Sequence, residues 1–207
     1  MPARTLTVAA LGSLLLATPA LANRAGDAPI KAPQNLKTHN VAFTLPGDGW
    51  KQKVGGLAGT PAFGRYALDL KLGDGSVCPL TADVLAKTSA KPFAARGATV
   101  QLRPLSQFPE LLRITSRGKH GGVTWWAGTM KSFDAAAGGT QRLPAGLRTS
   151  ARPNLNYNVR ILHAGPPTGD PCAAPARTTG ASVARAIAKT MHIAPGPPVS
   201  APPFTSS

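Results

Sequence analysis

Eight carboxylates and four histidines are the side chains of this chain suited to acid-base or metal chemistry near neutral pH. The acids are Asp48, Asp69, Asp74, Asp83, Glu110, Asp134 and Asp170, with Asp27 upstream. Glycoside hydrolysis needs two carboxyls facing each other across a cleft. No spacing here selects such a pair, so Asp69 and Glu110, for example, would have to be brought together by the fold. The histidines, His39, His120, His163 and His192, lie far apart with no HExxH or paired-ligand spacing, so no metal site is read from them. Ser116-Arg117-Gly118-Lys119 matches SxxK, but it has a glycine inside it, lies at a hairpin tip and lacks an SDN or KTG partner, and it reads as a turn. GxSxG and P-loop motifs are absent. The glycines near Gly55 neither follow a buried strand nor open a helix, so a dinucleotide site is unsupported. No catalytic residue and no cofactor is implied.

The residue group best suited to binding is in the stretch Leu111 to Phe133, which holds two of the three tryptophans. An outward Trp126 beside Arg113, Arg117, Lys119 and His120 would offer an indole face for sugar rings or bases, and cations for phosphates or carboxylates. Its placement depends on hairpin register. If Gly118 to Gly122 closes through an even-numbered loop, Leu112, Ile114, Val123, Trp125 and Ala127 share the core face. Trp126 then points outward next to Arg113, where a cation-π contact contributes about 0.5–1 kcal/mol; an odd loop swaps the two tryptophans.

The elements that must position this hairpin can be read from periodicity. Val41, Phe43 and Leu45 alternate as a strand, stopped by Pro46-Gly47-Asp48-Gly49. After a glycine-rich loop, Gly55 to Gly64, Tyr66, Leu68, Leu70 and Leu72 line one face of a strand whose other face carries Arg65, Asp69 and Lys71. Leu80, Val84, Leu85 and Thr88 recur at helical spacing, which predicts a helix over 79–90 opened by Pro79. A short strand over 99–103 buries Val100 and Leu102. Residues 135–153, small, Gly-containing and basic, read as a long loop with at most a short strand. Tyr157, Val159 and Ile161 mark a last strand. A closing helix over 182–192 sets Val183, Ile187 and Met191 against the core and Arg185, Lys189 and His192 toward water.

Export is the reading of the N-terminus. Arg4, the apolar run Leu6 to Ala17 and the small-x-small site Ala20-Leu21-Ala22 fit a secretory signal peptide over 1–22, with a secreted, extracytoplasmic location following from it. No later stretch is apolar enough to span a bilayer. In an oxidising compartment the two cysteines, Cys78 and Cys172, are expected to form one disulfide. Residues 23–39 read as a linker, 40–194 as one globular domain and the proline-rich 195–207 as a disordered tail. Arg4 is the only charged residue of the signal, so 22 of the 23 Lys and Arg remain against all 8 acids, a net charge of +14. Such a field favours anionic partners and does not choose among them; nothing points to specific nucleic-acid binding.

The strand running into Phe43-Thr44-Leu45-Pro46-Gly47-Asp48-Gly49-Trp50, the antiparallel strands after it and the closing amphipathic helix together resemble the PsbP-like superfamily over about Asn40 to Ala194. The resemblance implies an α+β fold, an antiparallel sheet covered by helices, and a non-enzymatic accessory role; no site residue of that family is recognisable here. An all-β sandwich with a C-terminal helix is the alternative fold. The expected function is a basic binding or accessory domain associating with anionic envelope material. The alternatives are a hydrolase whose site assembles only in three dimensions, and a structural partner of an envelope protein complex.

Overall fold

A computed structural model describes residues 28, 30–36, 39–54, 62–89, 91–102, 110–134, 139–150, 155–163 and 170–196. The signal segment and nearly all of the proline-rich tail lie outside the described residues. In chain order the strands begin with β1 (Ile30–Lys31), β2 (His39–Ala42), β3 (Lys51–Val54), β4 (Ala62–Lys71), β5 (Val77–Thr88) and β6 (Ala95–Arg96). They continue with β7 (Thr99–Leu102), β8 (Glu110–His120), β9 (Val123–Asp134), β10 (Gly139–Ser150) and β11 (Leu155–His163). Helix α1 (Ala173–Thr190) and a last strand, β12 (His192–Pro195), follow. The fold is therefore mostly antiparallel sheet, with one α-helix and a short 3-10 turn (Gln34–Leu36) among the described residues, where two helices, over 79–90 and 182–192, were expected.

Nine strands form one sheet in the order β3-β4-β5-β11-β10-β9-β8-β7-β6, and β1, β2 and β12 form a second, small one. After β5 the chain jumps to the far edge and meanders back until β11 pairs with β5. In a flat sheet that jump would cross six strand spacings, about 29 Å. The seven steps from Thr88 to Ala95 reach at most about 25 Å. The sheet must therefore curl, and it brings β6 and β7 over the other face of β5 and β11.

Its two faces are covered differently. One carries α1 over β9, β10 and β11 and the small sheet beside it, enclosing Phe43, Tyr66, Leu80, Val84, Tyr157, Val159, Ile161, Val183 and Ile187. Phe43 meets Tyr66 edge to face at 5.4 Å. Ile30, fully buried in this core, comes from the segment expected to be a linker. The concave face holds a second cluster, Val100, Leu102, Leu112, Trp126, Met130, Ala145 and Leu147.

The predicted helix over 79–90 is strand β5. Cys78, Leu80, Ala82, Val84 and Ala86 are all buried, a strict period of two that the helical reading missed because it left the two alanines out of the core. Strand β10 was expected to be loop. Its small residues are what α1 requires: a Cβ on Gly146 would lie 2.5 Å from the Ala184 carbonyl oxygen and 2.8 Å from the Ala188 Cβ. The helix seats Ala176, Gly180, Ala184 and Ala188 toward the sheet, which permits this close approach. Gly146→Ala is expected to lift the helix and cost about 1–3 kcal/mol in thermal denaturation. Gly73→Ala, where a Cβ meets nothing within 4 Å, should stay within about 0.5 kcal/mol.

The helix begins nine residues before its expected start, directly after Cys172, which is bonded to Cys78 as predicted. Asp170 Oδ1 accepts the Cys172 N–H at 2.8 Å. At the other end Arg148, 4 % exposed, donates to the Lys189 carbonyl at 2.6 Å and the His120 carbonyl at 2.8 Å. A cation on the last helical carbonyls favours the helix dipole and ties α1 to the hairpin tip.

Candidate ligand cavity on the concave face

The hairpin does not build the site read from its sequence. Its loop is the two-residue Gly121-Gly122, both at positive φ, the even count under which Trp126 was to point outward. An extra residue at Thr115, however, shifts the register between Ile114 and Ser116. Beyond this bulge Leu112 and Ile114 oppose Met130 and Gly128, which puts them on the face of Trp126 rather than of Trp125. Trp126 is 5 % exposed, packed in the concave-face cluster. The bulge also divides its expected partners. Arg117 and Lys119 oppose Trp126 and Thr124, whereas Arg113 opposes Thr129 and His120 opposes Val123, on the other face. All four are exposed, but no stacking surface joins them. Trp125 covers Gly118, where a Cβ would lie 2.8 Å from the indole. Ser116 and Lys119, an odd number of residues apart on a strand that runs to His120, point to opposite faces, so the SxxK match has no shared site.

The acids are likewise engaged or dispersed. Asp83 forms a two-bond pair with Arg65, at 2.7 and 2.8 Å, which raises the guanidinium pKa. Asp74 accepts from the hydroxyl and N–H of Ser76 in a turn, and these bonds lower its pKa. Asp69 lies on β4 and Glu110 on β8, with four strands between them. His163 Nε2 approaches Asp170 Oδ2 at 2.7 Å, out of line for a hydrogen bond. His120 and His192 line one shallow pocket with Arg148 and Tyr157; burial, partly offset by Arg148, pushes the Tyr157 phenol up to about 12. No group of three metal-ligating side chains occurs among the described residues, and none of their helices is long and apolar enough to cross a membrane.

What the curled sheet does assemble is a cavity of about 630 Å³ on its concave side, within the usual range of small-molecule sites, roughly 300–1,000 Å³. Leu85 and Lys87 of β5, Asn156 and Asn158 of β11, and Gln101 and Leu102 of β7 contribute to its walls. The β5–β6 connection, with Ser89, Lys91 and Phe93, runs along it, and Arg96 joins from β6. Asn156, 5 % exposed, pins this connection. Its Oδ1 accepts the Phe93 N–H at 3.2 Å and the Thr149 hydroxyl at 2.9 Å, and its Nδ2 donates to the Lys91 carbonyl at 3.2 Å.

Comparison with protein-family models, with curated proteins and with solved structures found no match.

The electrostatics of the cavity are one-sided. Lys87, Lys91 and Arg96 line it, and the described lining contains no carboxylate. Lys87 is half-buried and Lys91 and Arg96 are exposed, so their attraction for an anion rests on their convergence on one concavity. Sequence reasoning missed this group. Its cations fall within ten residues, Lys87 on β5, Lys91 in the β5–β6 connection and Arg96 on β6, but that stretch was not read as part of a site, and Asn156 and Asn158 sit at alternate positions that read as the wet side of a strand. The one available signal was that Asn-x-Asn pair flanking Tyr157, since asparagine is disfavoured in strand interiors.

Proposed function

We propose that the protein is an extracytoplasmic, non-enzymatic binding domain that holds an anionic ligand, a component of the cell envelope, in the concave-face cavity. The observation that carries this reading is the convergence of Lys87, Lys91 and Arg96 on one cavity with no acid in its described lining. Three further features support it. The disulfide suits an oxidising compartment. The net charge of +15 over the whole chain steers anions toward the protein. The resemblance of the opening segment to PsbP-like proteins implies an accessory rather than a catalytic role.

Cation for cation, the cavity should matter more than the rest of the basic surface. Purified envelope fragments are expected to retain the full chain at low salt and release it as salt rises. Replacing Lys87, Lys91 and Arg96 together by Gln should weaken retention at least about tenfold, since hydrogen bonds to charged groups contribute roughly 1.5–3 kcal/mol each. The charge-matched variant Lys51→Gln, Lys53→Gln, Lys71→Gln, altered at exposed positions of β3 and β4, should bind nearly as the parent does. Equal losses in the two variants would leave only a diffuse basic surface and overturn the cavity as the binding site.

A further inference from the structure

Several polar groups in the cavity wall are already engaged within the protein. Asn156 uses both atoms of its amide to hold the β5–β6 connection and Thr149. Inside that connection the Ser89 hydroxyl donates to the Lys91 carbonyl at 2.5 Å and accepts the Lys91 N–H at 3.3 Å. Asn158 Oδ1 is closed to solvent, so a ligand in the cavity does not reach it. Gln101 and Thr88 also line the cavity, but both are exposed and stay hydrated whether or not a ligand is present.

The deeper wall is also apolar. Leu102 is buried and Leu85 and Phe93 are half-buried, whereas Lys91 and Arg96 are exposed. The apolar strip continues out of the cavity, because Leu85 pairs with the half-buried Phe63 of β4, one strand spacing or about 4.8 Å away on the same face. It ends at Arg65, whose guanidinium lies 5.9 Å from the centre of the Phe63 ring. Charge outside and hydrocarbon inside suit a molecule with an anionic head and an apolar body. A small hydrophilic anion would leave the strip wet, and a wholly apolar ligand would cover Lys87 without pairing it. Resting on the anion-site reading above, we infer that the ligand is an amphipathic anion: an alkyl or acyl chain bearing a carboxylate or phosphate, with the head on Lys87, Lys91 and Arg96 and the chain on Leu85, Phe93 and Leu102. A fatty acid and a lipid phosphate share this chemistry.

The test is calorimetric titration of the full chain at low salt with two series of constant head group. These are butyrate, hexanoate and octanoate, and butyl, hexyl and octyl phosphate, with octanol as the uncharged control. In at least one series affinity is expected to rise about two- to fourfold per methylene, the upper figure corresponding to full burial of each. The series with the tighter eight-carbon member tells a fatty acid from a lipid phosphate. Leu85→Ser should flatten that rise while leaving the four-carbon anion at its parental affinity. Affinity independent of chain length in both series would overturn the amphipathic ligand with the anion site intact. Failure of every anion to bind, octanol binding as tightly as the octyl anions, or anion binding untouched by the triple Gln variant would overturn the anion site itself. The parental series stand even if Leu85→Ser does not fold.

Discussion

Removing the Cys78–Cys172 cross-link by the double change Cys78→Ala, Cys172→Ala is expected to cost about 4–5 kcal/mol of unfolding free energy. The two residues are 94 positions apart, and in the chain-entropy model closing a loop of that length removes roughly this much freedom from the unfolded state. The bond also joins two critical points. Cys78 is the second residue of β5, between β4 and β11 in the large sheet, and Cys172 immediately precedes α1. Both are buried, and alanine fills nearly the same space, so little cavity cost is added. With a urea slope of roughly 2 kcal/mol per molar, the midpoint should fall by about 2 M. A fall corresponding to less than about 1 kcal/mol would show that the cross-link does not constrain the unfolded chain. Dithiothreitol added to the native protein should act slowly, because the bond becomes accessible only when the helix start lifts from the sheet.

This cross-link was legible from the sequence because it needed only a cysteine count and a compartment. Elements whose pattern stands out within a few residues were legible as well: β4 through Tyr66, Leu68 and Leu70, β11 through Tyr157, Val159 and Ile161, and the half of α1 that carries Val183, Ile187 and Met191. Those built on small residues were not. In β5 the alternation passes through Ala82 and Ala86, in β10 through Ala145 and Gly146, and in the first half of α1 through Ala176 and Gly180. Such residues have weak hydrophobic signals, yet they are required where a helix lies close on a sheet. Their burial is a tertiary fact, set by how near α1 approaches.

The site illustrates the same limit. Lys87 already lies beside Asn156 and Asn158 through the pairing of β5 with β11, but Arg96 and Gln101 join them only because the sheet curls, and the curl follows from a connection too short to cross a flat sheet. No window of the sequence contains both the jump and the strands that it spans. The hydrogen bonds from Asn156 then fix the connection along the cavity. The bulge at Thr115 had a comparable effect on the hairpin: one unpaired residue exchanged the faces of everything before it.

Trp126 is where that exchange has its largest energetic consequence. Trp126→Ala is expected to destabilise the protein by about 3–5 kcal/mol, the usual cost of truncating a buried large aromatic, whereas an outward indole used only for stacking would cost little stability. The side chain is packed with Val100, Leu102, Leu112, Met130, Ala145 and Leu147, drawn from four strands, so the void cannot close without moving several of them. Trp126→Phe, which keeps part of the volume, should lose less. Arg113→Ala and Arg117→Ala, at exposed positions, should each stay within about 0.5 kcal/mol. Chemical denaturation of the four variants checks the ranking. Leu102 belongs both to this cluster and to the cavity wall, so Trp126→Ala should also weaken ligand binding, through a displaced wall rather than a lost contact. Trp126→Phe separates the two roles: as a core residue its affinity should follow its stability and stay near parental, whereas a stacking residue would lose affinity while stability held.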